Sequence, residues 1–321
     1  MKLGVSYFGN KDIDCVHRHM EDIKGAGFDF VVFTYSENDH EYYEGTFDKI
    51  VKVAQGVGLE VYLDPWGVGG VFGGEAYSYL VMKNVHERQV SSTGKILPAL
   101  CFNSTELRTY VQKWIQSVQK IGADGIFWDE PHFYHVDKGW ACCCQICREE
   151  FRNRMGFEMP RQLTAEVRQF RIEILLDFIT YITKTSKEAG LKTMLCLMPG
   201  EDIDWDKVGR MTWIDVISTD PYWLWARGDY REYVRFWAKR IYKIAEKFNK
   251  EPLIWVQGFK VKKDEIDRIH ETVKIANAVG IENFAVWSYK ATKYMSSIAC
   301  EDPDTTWQAI LDAFKSLSSD R

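Results

Sequence analysis

Short runs of β-branched and aromatic residues alternate along this chain with longer segments of helical period. The spans 3–8, 28–35, 60–63, 125–128, 192–197, 214–219, 253–257 and 283–289 read as strands. Several are almost unbrokenly apolar, such as Ile254-Trp255-Val256 and Phe284-Ala285-Val286-Trp287, which suits parallel strands buried on both faces. Between them the apolar positions follow three-four spacing, clearest at Val234, Trp237, Ala238, Ile241, Ile244, Ala245 and Phe248. Asp302 followed by Pro303 reads as the cap and first residue of a last helix burying Trp307, Ile310, Leu311 and Phe314. Asn103 with Glu106 reads as a variant capping box ahead of Leu107, Val111, Trp114 and Ile115.

Eight strand–helix units without a break in composition predict a single (β/α)8 barrel spanning 1–321. A doubly wound open sheet is the alternative, but no Gly-rich phosphate loop follows the first strand. The run GVGGVFGG at 67–74 follows the third strand, lacks a Lys-Ser/Thr pair or a ribose-binding acid, and reads as a flexible loop. Two connections exceed plain turns: 65–102 after the third strand and 131–162 after the fourth. Both leave the C-terminal end of the barrel, where such folds place their sites.

Composition narrows the function. The 321 residues suffice for one barrel of about 250 residues with long loops. A formal net charge of −5 without any long Lys/Arg run argues against a nucleic-acid partner. The longest apolar runs, such as 30–33, fall far short of the ~20 residues of a membrane span. No signal peptide is visible in MKLGVSYFGNKDID, so a cytoplasmic location is expected. Aromatic residues reach 14%, enough to line a sugar cleft as well as a core.

The eight cysteines are unevenly spread: Cys142, Cys143, Cys144 and Cys147 cluster, while Cys15, Cys101, Cys196 and Cys300 stand alone. Cys142-x-Cys144-x-x-Cys147 places three thiolates around one ion, and Cys101 in the neighbouring long loop is the natural fourth ligand of a tetrahedral zinc. Cys143 would then point away. Four thiolates leave no open position, so such a zinc is structural. The competing reading is a run of reduced, buried thiols. Trp140 and Glu150 stand where a radical-SAM cluster would need further cysteines.

Acids and large aromatics recur at the strand ends. Strand four ends with Trp128, Asp129, Glu130, His132 and Tyr134. Strand six ends with Asp220, Tyr222 and Trp223, strand three with Asp64 and Trp66, and strand eight with Trp287 and Tyr289. Glycoside hydrolysis needs this chemistry: a pair of carboxyl groups across the scissile bond, and flat apolar faces for the ring. Singly, each acid also reads as a helix cap, an ion-pair partner or, before Pro65 and Pro221, a turn former.

Strand four, with Asp129-Glu130-Pro131, resembles the Asn-Glu-Pro ending of the clan A glycoside hydrolases, whose Glu is the general acid/base. DVISTDPYW and EPLIWVQGF are similar to the sixth and seventh strands of that clan. CFNSTELR, the acid-bearing strand and CCCQICREEFRNRMG resemble the zinc loop of the family 42 β-galactosidases. The resemblance implies a barrel, a carbohydrate substrate, Glu130 as acid and zinc on Cys101, Cys142, Cys144 and Cys147. It departs where Gln257 occupies the nucleophile position and Asp129 replaces the Asn.

The expected function is therefore a glycoside hydrolase with Glu130 as general acid and Asp220 or Asp129 as second carboxylate. Asp129 is an alternative anchor for a substrate acetamido group. Asp64, Trp66, Trp128, His132, Tyr222, Trp223, Gln257, Trp287 and Tyr289 are expected around the sugar. Tyr222 and Trp223 are adjacent on an extended segment and should not both touch it. Competing readings are a carbohydrate-binding barrel that has lost its nucleophile and, last, a metal-dependent sugar isomerase built on His132.

Overall fold

The computed structural model describes residues 1–319. Eight parallel strands close into a barrel: β1 (Leu3–Tyr7), β2 (Phe30–Thr34), β3 (Glu60–Asp64), β4 (Gly125–Trp128), β5 (Lys192–Cys196), β6 (Val216–Thr219), β7 (Glu251–Gln257) and β8 (Asn283–Trp287). β8 closes on β1, with Leu3 opposite Phe284 and Val5 opposite Val286. The (β/α)8 barrel expected from the alternating pattern is the fold of the chain.

Strand pleat decides which side chains reach the mouth, because successive residues face opposite sides. Phe30, Val32, Tyr62, Phe127, Met194, Val216, Leu253, Trp255, Ala285 and Trp287 fill the barrel interior as one cluster. Their alternates, among them Val31, Phe33, Ile126, Trp128, Ile217, Ile254 and Val286, pack outward into the larger core beneath the helices.

The helices begin as their caps dictate. Asp302 accepts from Thr305 N at 3.2 Å and opens helix Pro303–Ser319. Helix Thr105–Ile121 starts one residue later than the Asn103 box predicts. Its cap is Ser104, whose Oγ accepts from Leu107 N at 3.0 Å, and the carboxylate that binds Ser104 comes from Glu87. A side chain from the long loop thus replaces the local box.

Both long connections carry structure of their own. Residues 65–102 hold a short helix, Tyr79–Lys83, and an antiparallel hairpin, Arg88–Val90 with Ile96–Leu100. Residues 131–162 hold helix Gln145–Met155. The buried Glu37 carboxylate fixes the first, accepting from Gly69 N at 2.9 Å, Leu80 N at 2.8 Å and Ser78 Oγ. No helix among the described residues is long and apolar enough to cross a membrane.

Candidate active site

A cavity of about 450 Å³ opens at the C-terminal mouth. Asp129, Glu130 and Asp220 all line it, together with Tyr222 and Trp287. Asp129 continues the inward parity of Gly125 and Phe127, and Asp220 that of Val216 and Ser218. By the same parity Glu130 belongs outside. Its φ of +44° breaks the extended run and brings its carboxyl into the same cavity. Such backbone is sparsely populated for a non-glycine residue and concentrates at functional sites. Lys260, on the opposite wall, has a φ of +49°.

The acids perturb one another. Glu130 and Asp220 lie in side-chain hydrogen-bonding contact. Burial and then the Asp220 charge push Glu130 well above the usual carboxylate range. Asp220 is raised to about 7, chiefly by burial, while hydrogen bonding to Glu130 opposes the rise. Asp129 is pushed up by burial, then by Glu130 and Glu75. Two carboxyls in such contact within a cavity do not both ionise readily, so the Glu130–Asp220 pair shares a proton near neutral pH.

Several expected residues sit elsewhere. Trp128 is fully buried on the outer face of the sheet, 5.3 Å from the Phe72 ring and 5.7 Å from Trp114, so it is core and not cleft wall. Trp223 is likewise buried in the outer core. Tyr222 lines the cavity and Trp223 does not, as their alternation requires. Gln257 faces inward, but both ends of its amide are taken: Oε1 accepts from Leu224 N at 3.2 Å and Nε2 donates to Phe259 O at 3.0 Å. It ties two mouth loops together. Trp66 and Tyr289 line a second cavity of about 540 Å³, and Tyr289 donates to Asp22 at 2.7 Å. Phe8 lies between the two cavities, with its ring 5.6 Å from Trp66 and 5.9 Å from Trp287. His132 faces a third space of about 600 Å³ that also reaches Glu130. Its Nδ1 lies 2.5 Å from Glu130 O, and burial lowers its pKa to about 4.

Asp64 is fully buried, with neither carboxyl oxygen hydrogen-bonded. Burial, Asp129 and Glu75 all push its pKa up. A carboxyl whose folded pKa exceeds its unfolded one lets the native state hold the extra proton, so stability falls as pH rises through the interval between them. Asp64→Asn removes that loss. We expect it to stabilise the fold by about 1–3 kcal/mol at pH 8 and by little at pH 4, read from denaturant unfolding at both pH values. Equal effects at the two pH values would refute this account.

The glycine run 67–74 is a close-packed turn, which corrects its reading as a flexible loop. A Cβ on Gly73 would lie 2.3 Å from Asp129 Oδ2, and one on Gly74 1.7 Å from the Trp66 indole. These glycines let the backbone press against the acid-bearing strand end, and Gly73 N donates to Asp129 O at 3.0 Å.

Sequence reasoning missed Glu75, His135, Tyr233, Trp225, Phe259 and Lys260 on the cavity wall. Trp225 was within reach, since the Trp-Leu-Trp run follows a strand end, and it is 65% exposed. Glu75 and Tyr233 carry no comparable signal.

Beside the mouth, Cys101, Cys142, Cys144 and Cys147 are buried with their sulfurs within 4.8 Å of one another. Cys101 Sγ and Cys147 Sγ are 3.3 Å apart. Backbone N–H groups point at three of the sulfurs: Asn103 to Cys101 at 3.4 Å, Cys144 to Cys142 at 3.5 Å and Cys147 to Cys144 at 3.5 Å. Such donors favour thiolate over thiol, and hydrogen bonds from the neighbouring sulfurs hold the Cys144 thiol far below its ordinary value. Cys143 stays outside the cluster and half-buried, its backbone N donating to Val90 O at 2.6 Å. The donor set fits a tetrahedral thiolate-binding ion.

No protein-family model matches this chain, and no curated sequence matches it. Solved structures do match it in fold. An endo-1,4-β-mannanase from Rhizomucor miehei is 12% identical with a TM-score of 0.66, over 99% of this chain and 95% of that one. An endo-β-1,4-mannanase from Thermotoga petrophila is 9% identical with a TM-score of 0.61, over 100% and 77% of the two chains. A GH5_18 protein from Streptomyces cattleya, solved with GlcNAc, is 10% identical with a TM-score of 0.59, over 100% and 81%. The likeness is one of barrel architecture. The site's chemistry has to be argued from its own residues.

Proposed function

We propose that this protein is a glycoside hydrolase in which Glu130 is the general acid. The observation that carries the proposal is the group of three carboxyls, buried Asp220 with half-buried Asp129 and Glu130, lining one cavity whose walls include Tyr222, Trp225 and Trp287. Glu130 holds its proton at neutral pH because burial and Asp220 raise its pKa. In the free cavity Asp220 shares that proton. When a glycosidic oxygen takes the place of Asp220 as its acceptor, Asp220 is left ionised beside the sugar, where it stabilises developing positive charge or activates water.

Carboxyls in hydrogen-bonding contact are closer than the about 5–5.5 Å of a retaining pair or the about 6.5–9.5 Å of an inverting one. Substrate entry must therefore part Glu130 from Asp220. With Gln257 unable to form a glycosyl ester, the routes left are inversion, displacement of the nucleophile role to Asp220, or assistance by a substrate group that Asp129 positions.

The pH profile follows from the pair. Activity needs Asp220 ionised and Glu130 protonated, so kcat/KM should rise as pH increases through the Asp220 ionisation at about 7 and fall as Glu130 loses its proton. We expect a bell centred near or above neutrality. A profile whose acid limb lies in the ordinary carboxylate range would contradict the assignment. A screen of nitrophenyl glycosides and oligosaccharides, read by released nitrophenol and by new reducing ends, tests the activity itself. Binding without any turnover would favour the second reading, a carbohydrate-binding barrel, which the engaged Gln257 amide supports.

We also propose that Cys101, Cys142, Cys144 and Cys147 hold one structural zinc. The ion would pin the two long loops to each other beside the cavity.

A further inference from the structure

One buried thiol in the cavity has no part in the chemistry described so far. Cys196 ends β5, where it lines the cavity beside Asp220 and Glu130. Strand parity puts it there. Met194 and Cys196 face the barrel interior together with Val216, and Cys196 is paired in register with Ser218 on β6. Asp220 follows Ser218 by two residues on the same inward parity, so its carboxyl comes to lie beside the thiol. Cys196 Sγ donates to Asp220 Oδ1 at 3.6 Å.

The surroundings of Asp220 show why that contact matters. Half-buried Asp129 and Glu130 face it from the end of β4, Tyr222 from its own loop, Tyr233 from helix Tyr230–Phe248 and Cys196 from β5. The cavity wall also carries Glu75, His135 and Lys260. Hydrogen bonds reach the Asp220 carboxyl from Glu130, from its own backbone N–H and from Cys196. The first of these cannot outlast the reaction. Glu130 gives its proton to the glycosidic oxygen, and the carboxylate it becomes repels Asp220. The thiol and the backbone N–H remain. Sulfur is a weak donor, but a charged acceptor strengthens the bond, and a donor to the charged form favours that form. Burial and the Asp220, Glu130 and Asp129 charges oppose ionisation of the thiol, so Cys196 keeps the proton it donates.

On the footing that this cavity is a glycosidase site, we propose that Cys196 is a positioning residue for Asp220. Its S–H holds one carboxylate oxygen through the step in which Glu130 gives up its proton. The role needs a small side chain with a donor at that point, so serine fills it and alanine does not.

The test compares the wild-type protein with Cys196→Ser and Cys196→Ala, each isotopically labelled at the aspartate side-chain carboxyl. The Asp220 signal, assigned by its loss in Asp220→Asn, is titrated by NMR. Serine and alanine differ by one hydroxyl, which isolates the donor from the loss of the sulfur. Removing a donor to the charged form raises a pKa, so Cys196→Ala should move the Asp220 midpoint up by about half a pH unit or more. Cys196→Ser should return it to the wild-type value or below. Equal midpoints in the two variants, or a Cys196→Ala midpoint no higher than wild type, overturn the assignment. Infrared spectra of the S–H stretch check the contact without touching Cys196. One band should shift to lower frequency as pH rises through the Asp220 ionisation at about 7, and Asp220→Asn should abolish the shift. Absence of any responding band contradicts the contact. Turnover separates the two levels. On a cleaved glycoside, Cys196→Ala should lower kcat and carry the acid limb of kcat/KM upward, and Cys196→Ser should reverse both changes. Glu130-dependent cleavage with coincident acid limbs in the two variants removes the role of Cys196 and keeps the hydrolase. The NMR shift without cleavage of any glycoside keeps the thiol contact and removes the hydrolase.

Discussion

Glu130→Gln is expected to lower turnover of an unactivated glycoside by about a hundred- to ten-thousand-fold, the usual range for loss of general acid help. The same substitution should cost far less on a nitrophenyl glycoside, whose leaving group departs without a proton. The asymmetry matters more than the size of the loss, because Gln fills the same space and keeps a donor toward Asp220 while removing the transferable proton. It also takes away the neighbouring carboxyl with which Asp220 shares a proton, so the remaining activity should show a simpler dependence on pH. Equal and small losses on both substrates would make Glu130 a structural residue, held at its φ of +44° for reasons unrelated to proton transfer. The carbohydrate-binding reading would then stand in place of the hydrolase.

How far the sequence led is clearest strand by strand. The alternation of apolar runs with helical segments placed all eight barrel strands, because a strand buried on both faces leaves an unmistakable run of Val, Ile, Phe and Trp. The acids at the strand ends were legible for the same reason: polar residues ending such runs stand out. Side-chain direction was legible too, yet was applied only to Tyr222 and Trp223. The same parity, applied to Phe127, Trp128 and Asp129, would have sent Trp128 outward into the core, where it packs on Phe72 and Trp114. Glu130 defeats parity altogether, since its positive φ follows from how the chain turns at Pro131 and packs above the barrel, not from residue type. Glu75 and Tyr233 reach the cavity from a long loop and from helix Tyr230–Phe248, across distances that no local pattern encodes. The glycine run misled because flexibility and close packing have the same composition; only the neighbours at Asp129 and Trp66 distinguish them.

Protein purified without chelator is expected to carry about one zinc per chain, and Cys144→Ser to carry almost none. Cys144 offers a clean test because it has two roles. Its sulfur caps helix Gln145–Met155 by accepting from Cys147 N, and it sits among the three other sulfurs. Serine preserves the cap, being a strong N-cap residue, but is a poor zinc ligand, so any large effect belongs to the metal. Loss of the ion leaves buried thiols in place of a thiolate cage and loosens two loops that otherwise meet through a few hydrogen bonds, such as Ser92 N to Trp140 O at 2.8 Å, Cys143 N to Val90 O at 2.6 Å and Tyr134 N to Gln89 Oε1 at 3.0 Å, and through the Phe102–Phe133 ring contact. We expect the thermal midpoint to fall by roughly 5–10 °C and proteolysis to begin within 131–162. Glu130 should be affected at a distance, because Pro131 and His132 carry the chain from the acid into that loop and His132 N donates to Val71 O at 3.0 Å. Cys143→Ser, outside the cluster, should leave metal content and midpoint unchanged. Wild-type protein without metal, together with Cys144→Ser of equal stability and protease resistance, would reduce the four sulfurs to ordinary packed thiols and leave the two loops held by their hydrogen bonds and side-chain packing.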